Sequence, residues 1–196
     1  MDKLLAAIKQ FDDEEEDLFI VFNSAVWKEK SLILQINLGL VGGNRENWEI
    51  QCGEVLSYKL SGEYAAFLDL IDNHPLLWEF KQETASAFFY GVPANIQSAI
   101  TVLYEVHENF FDSHIPCSRY CHKIWPLSRL LSAGDGLLAR GPIELLKQYQ
   151  ARLSAFGTKV SICSSQKPAH DANNIKLLWI GNSFIIGKQW STHKLP

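Results

Sequence analysis

The run Ala87-Phe88-Phe89-Tyr90-Gly91-Val92-Pro93 is echoed fifty positions later by Leu137-Leu138-Ala139-Arg140-Gly141-Pro142, and each is followed by a stretch with helical periodicity. A short apolar run, a glycine turn and a proline is how a strand hands over to a helix. Proline is preset for the first helical turn and lacks the NH that turn would leave unpaired. Two such handovers require a chain that mixes strands with helices, and the rest of the pattern says how.

The first half carries the β signal. Leu18-Phe19-Ile20-Val21-Phe22 is followed, across the charged turn Lys28-Glu29-Lys30, by Leu32-Ile33-Leu34-Gln35-Ile36-Asn37-Leu38. After Gly42-Gly43-Asn44 comes Trp48-Glu49-Ile50-Gln51-Cys52, running on to Tyr58. Short turns between strands make an antiparallel meander, and alternation in its second and third strands predicts one buried face. Ahead of it, Leu4, Leu5, Ile8 and Phe11 share a helical face over residues 2–11, predicting a short helix laid on the main body. The acidic run 12–17 lacks the glycine and spaced oxygen ligands of a calcium loop and reads as a solvated linker. After the meander, Ser61 is placed to cap a helix carrying Tyr64, Phe67, Leu68 and Ile71. Asn73-His74-Pro75 ends it and starts a second one through Leu76, Leu77 and Phe80.

In the second half, Ile96, Ala99, Ile100, Leu103, Val106 and Phe110 make the clearest helical stripe, opposite Gln97, Thr101, Glu105 and Glu108. Residues 112–136, with Pro116, Pro126 and Gly134, read as irregular apart from a helical turn or two at Leu127 to Leu131. The helix after the second arm carries Leu146, Tyr149, Leu153 and Phe156 and stops at Gly157. Lys159 to Cys163, Ile175 to Ile180 and Ser183 to Ile186 read as closing strands, with a polar loop from Ser164 to Asn174. Strand, helix, strand over 137–163 predicts a right-handed crossover, provided the two strands lie parallel in one sheet. The expectation is a single α+β domain over 1–196 with a sandwich-like body. Its parts are an antiparallel meander with short helices over 18–84 and two β-α units with closing strands over 85–196.

Composition narrows the function. A chain of 196 residues that is 47% hydrophobic can bury a sizeable core. A net charge of -4 with no basic cluster removes the footprint of nucleic-acid binding. No apolar run approaches the roughly 20 residues that cross a bilayer, and Met1-Asp2-Lys3 opens without the apolar core of a signal peptide. A cytoplasmic protein is therefore expected, with Cys52, Cys117, Cys121 and Cys163 as reduced thiols.

Three constellations bear on chemistry. Leu177-Leu178-Trp179-Ile180-Gly181-Asn182-Ser183-Phe184-Ile185-Ile186-Gly187 resembles the first sequence block of the SGNH, or GDSL-like, hydrolases. That resemblance implies an esterase with Ser183 as nucleophile on the turn at a strand's end. The family places its oxyanion glycine and asparagine, and a paired Asp and His, after the serine. Here His193 is the single later histidine and no aspartate follows, while Gly181-Asn182 equally suits a buried β-hairpin turn.

His114, Cys117, Cys121 and His122 fall within nine residues and are zinc-ligand types. Structural sites join one Cys pair to a distant second arm, whereas this cluster is one segment containing Pro116, so loop packing and no metal is the expectation. His107, at the edge of its helical stripe, reads as a hydrogen-bonded boundary residue, and His74 as a helix cap. The Gly91 and Gly141 turns offer backbone NH groups to an anion, with Arg140 beside the second. No Lys-Ser or Lys-Thr pair of a phosphate loop accompanies them. Arg140 and Gly141 are thus the candidate anion-binding residues.

With no complete catalytic set, no cofactor motif and abundant aromatic residues for an interface, the chain reads as a non-catalytic protein-interaction or regulatory module. Its expected partner is another protein or a second copy, with no nucleic acid and no membrane. A small serine hydrolase using the Gly181-Asn182-Ser183 turn is the alternative.

Overall fold

The computed structural model describes residues 1–12, 18–40, 43, 45–62, 64–112, 114–168 and 172–196. Of the linker expected at 12–17, Asp12 ends the first helix and 13–17 lie outside the described residues, as do Gly42 and Asn44 of the second meander turn and 169–171 of the polar loop. Among those described, five α-helices and twelve strands form three antiparallel sheets, an α+β class with an N-terminal meander. The chain divides into two units, Met1–His74 with Asn173–Pro196, and Pro75–Ala172. No described helix is long and apolar enough to cross a membrane.

In the first unit, β1 (Leu18–Lys28), β2 (Ser31–Leu40) and β3 (Arg45–Gly53) are the meander. Leu32, Leu34, Ile36 and Leu38 are all buried, so the alternation in β2 is the pleat of a strand with one face in the core. A two-residue strand, β5 (Tyr64–Ala65), pairs with β1, and β12 (Gln189–Leu195) pairs along β3. The second sheet has the order β4 (Ser57–Lys59), β11 (Ser183–Gly187), β10 (Lys176–Ile180), β6 (Leu68–Ile71). One apolar cluster joins Leu34 and Ile50 of the first sheet, Leu178 and Ile185 of the second, and Leu4 and Ile8 of helix α1 (Asp2–Asp12). Leu4 and Ile8 lie one turn apart, as the expected amphipathic face requires.

Three local readings change here. The helix expected from Ser61 is instead β5 and β6, because Leu68 to Ile71 pair with β10 and Ala65 with Ile20. Apolar residues spaced at 64, 67, 68 and 71 suit a helix, but Tyr64 and Phe67 are 71% and 39% exposed, so that face is not the buried one, and strand pairing with distant partners decides the conformation. The third strand does not run to Tyr58. It ends at Gly53, and Glu54 (φ 48°) turns the chain into β4 of the other sheet. A last strand, β12, was not anticipated from its polar sequence, and it finds its place by pairing with β3 rather than by burying one face.

In the second unit β7 (Thr84–Tyr90) lies between β8 (Asp135–Pro142) and β9 (Lys159–Gln166). Before β7 comes the short helix α2 (Trp78–Lys81); between β7 and β8 come α3 (Ile96–Phe111) and α4 (Leu127–Ala133). Helix α5 (Ile143–Ser154) packs on α3 and runs against all three strands. Because β8 and β9 are each antiparallel to β7, they are parallel to each other, and β8-α5-β9 is a crossover that spans the central strand.

The two arms of the echo are therefore adjacent antiparallel strands, Thr84 opposite Pro142 and Tyr90 opposite Asp135. Their glycines sit at opposite ends of that pair and are not equivalent. Gly91 is in the left-handed region (φ 91°), whereas Gly141 is an extended strand residue. Nor do the prolines match. Pro142 directly precedes α5, while α3 is capped by Asn95, whose Oδ1 accepts from the Ser98 amide at 3.0 Å.

The β10–β11 hairpin turns on Gly181 and Asn182, with Gly181 at φ 52° as the first central position of a primed turn requires. A Cβ there would stand 2.9 Å from that of Ala65. Gly181→Ala should lower stability by about 1–3 kcal/mol, seen as a lower urea midpoint. Gly157→Ala, also at positive φ (76°) but with no atom within 4 Å of the new Cβ, should lose less.

Candidate functional site

Residues 117–122 are folded onto the outer edge of β8. After Pro116 the chain makes a 3₁₀ turn, Cys117–Arg119, closed by the Cys121 amide donating to the Cys117 carbonyl at 3.0 Å. It then runs beside β8: the His122 amide donates to the Leu138 carbonyl (2.9 Å), and the Arg140 amide to the Tyr120 carbonyl (2.8 Å). Cys121 and Ala139 form an antiparallel bridge between them. The Tyr120 ring lies over Gly141, where an added Cβ would meet Cδ1 at 2.7 Å. Gly141 is thus required for space, not for a turn.

This arrangement walls a cavity of about 440 Å³, lined by Arg119 to Ile124, by Leu137 and Ala139 to Pro142 of β8, and by Glu79 and Thr84. Arg140 and Gly141 both line it, together with Arg119, Tyr120 and Lys123, which the sequence reading did not single out. Arg119 donates to Glu79 Oε1 at 2.7 Å. Both partners are partly exposed, so the pair is worth about 1 kcal/mol at most, but it neutralises the one carboxylate among the lining side chains. Arg140 instead donates to the neutral Gln166 Oε1 at 3.0 Å, and no carboxylate among the described residues pairs with Lys123 or Arg140.

The backbone amides expected to meet an anion are already used. Gly91 N donates to the Gly134 carbonyl at 2.6 Å, and Arg140 N to Tyr120. At the start of α5, Ile143 N donates to the Glu83 carbonyl and Glu144 N to Gln82 Oε1. The positive groups that face this cavity are side chains, Arg119, Lys123 and Arg140, and Gly91 is not part of its lining.

Behind the cavity wall is a buried polar cluster. His107 is fully buried rather than at a boundary, and its Nε2 lies 2.6 Å from the Ile115 carbonyl. A carbonyl only accepts, so Nε2 carries the proton, and Nδ1 accepts from the Tyr149 hydroxyl at 3.2 Å. The Cys117 and Cys121 sulfurs stand 3.9 and 4.0 Å from the same hydroxyl and 3.2 Å from each other. The Cys121 thiol, bonded to Cys117, holds the Cys117 thiol below the ordinary cysteine range. Cys121 is pushed up by that same bond and by burial. Burial, with the neighbouring sulfurs, likewise pushes Tyr149 up.

The other sequence candidates lie elsewhere. Among the described residues no three His, Cys, Asp or Glu side chains gather at metal-binding distance; the two cysteines face each other, and His122 is drawn to the cavity wall. Ser183 is buried, and its Oγ accepts from the Ser61 amide and donates to the Ser61 carbonyl, both at 2.9 Å. That hydroxyl clasps the hairpin to the strand-β4 side of the same sheet. His74 packs its ring on Trp179 at 4.8 Å.

Burial holds the His107 imidazole below its usual value, against the opposing pulls of the Ile115 carbonyl and Glu108. The unfolded chain takes up that proton near pH 6.5, about the ordinary histidine value, and the folded one only at lower pH. Stability contributed here is complete above that value and falls as pH drops through it. An NMR titration should find the His107 ring changing below the ordinary range, and His107→Gln should flatten the fall in urea midpoint; titration at or above that range contradicts this. Comparison of the chain with known protein families, with curated proteins and with solved structures finds no match.

Proposed function

We propose that the chain is a non-catalytic interaction module whose second unit receives an acidic segment of a partner protein in the cavity beside β8. One observation carries this reading: in a chain of net charge -4, three cations and a single, already paired carboxylate line one cavity. Lys123 and Arg140 are the two cations left to meet a carboxylate of the partner.

The rim favours a peptide over a bare anion. Ile124 is 80% exposed and Trp125 is exposed beside it, with the Arg129 guanidinium 4.9 Å above the Trp125 ring. An apolar residue next to the partner's Asp or Glu can bury those surfaces while the charges set register and association rate. The volume suits one or two side chains.

The test is fluorescence anisotropy with a labelled peptide carrying Glu flanked by Leu and Phe, against its Gln counterpart. The Glu peptide should bind more tightly, and less so as salt rises. Arg140→Glu or Lys123→Glu should weaken it by roughly tenfold or more, about 1.4 kcal/mol. Lys147→Glu, the same charge change outside the cavity, should leave it within about twofold. Equal binding of the Glu and Gln peptides, or indifference to Arg140→Glu, would sink the proposal.

A further inference from the structure

We infer that Cys117 and Cys121 form a peroxide-oxidisable dithiol that closes reversibly into an intramolecular disulfide, a modification site in the wall of the cavity beside β8. The closure stands on the geometry of the two cysteines and is independent of what the cavity binds.

The sulfurs are 3.2 Å apart, nearer than two sulfurs in ordinary contact, and the 3₁₀ turn between them supplies the approach. Their surroundings distinguish the two. The bond between the two thiols holds Cys117 below the ordinary cysteine range and pushes Cys121 up, so Cys117 ionises first, and the thiolate is the form that peroxide oxidises. Cys121 lines the cavity and places the pair in its wall, and Cys117 and Cys121 keep 5% and 4% exposure. The remaining cysteines are separate cases. Burial pushes the Cys52 thiol up to about 12 and leaves it unreactive, and Cys163 is exposed.

The chemistry balances with a hydroperoxide as oxidant. The Cys117 thiolate attacks one peroxide oxygen; the S–O bond forms, the O–O bond breaks, and the departing hydroxide leaves as water with the proton that Cys117 gave up. Cys121 then attacks the sulfenic sulfur. An S–S bond forms, the S–O bond breaks, and the departing hydroxide takes the Cys121 proton as a second water. The thiols lose two electrons, and hydrogen peroxide is reduced to two waters.

Reduced full-length Cys163→Ser protein, treated with hydrogen peroxide under native conditions, should lose about 2 Da and recover it with dithiothreitol. Trypsin cuts after Arg119 and so separates the two cysteines, and the disulfide should appear as a linked pair of peptides. In Cys121→Ser protein the sulfenic acid should persist on Cys117 and be trapped by dimedone. Two thiols still alkylated in full after peroxide, or oxygen added to sulfur without a Cys117–Cys121 link, would overturn the inference. The primary reading uses both native cysteines, so a Cys121→Ser protein that failed to fold would not rescue it.

Discussion

The second unit depends on one steric fit, the Tyr120 ring over Gly141. A strand edge with unpaired amides and carbonyls invites pairing with another chain, and the β8 edge is met by residues 120–122 of the same chain. That pairing is possible because position 141 has no side chain where the ring must lie. From it follow the place of Arg119, His122 and Lys123 on the cavity wall and the turn that presses Cys117 against Cys121. The polar cluster behind is satisfied in series, from thiol to Tyr149 to His107 to the Ile115 carbonyl. His107, Tyr149 and the two cysteines thus each have a partner within that cluster, as a low-dielectric interior demands.

The first unit solves a different problem. Two sheets share one apolar cluster, and the chain must pass between them without leaving buried backbone unpaired. Glu54, in the left-handed region, makes one passage abruptly. Ser61 and Ser183 fasten a second place, each amide, carbonyl or hydroxyl finding a partner across 122 positions of sequence. The residue that most resembles a nucleophile is thereby explained as a clasp with both hydrogen-bonding capacities in use.

The elements with strong periodicity were legible in the sequence. The alternation in β2 and the stripes of α3 and α5 survive because their burial follows the 2.0 and 3.6 residue periods. In α3 the stripe is rotated slightly, burying His107 and Phe111 where Phe110 was expected. Strands β5, β6 and β12 were hidden because their conformation comes from partners far along the chain, and short apolar runs suit helix and strand alike. Arg140 and Gly141, singled out as candidates for an anion, both fall on the wall of the cavity, where the glycine makes room for the Tyr120 ring and the arginine presents its side chain rather than a turn of free amides. Tyr149 and His107 could not have been grouped with the cysteines, since 42 positions separate them and only packing of α5 on α3 brings them together. The two cations Arg119 and Lys123 at either end of a five-residue stretch without a carboxylate, in a chain of net charge -4, were the available signal for the cavity.

The first unit is discontinuous: β10, β11 and β12 come from the end of the sequence and complete sheets begun by its first 74 residues. During synthesis the ribosome therefore delivers the whole of the second unit before the first has its full set of strands. β3 waits for β12 and β6 waits for β10, with their edges open meanwhile, while residues 75–172 already hold every strand of their own sheet. Domains generally fold as units as they emerge, and long-range strand pairing is the slow step. The two units thus gain their full sets of strands in the reverse of the order in which they begin: the meander strands can pair among themselves at once, but the β6 and β3 edges have no partner until β10 and β12 have followed the whole of residues 75–172.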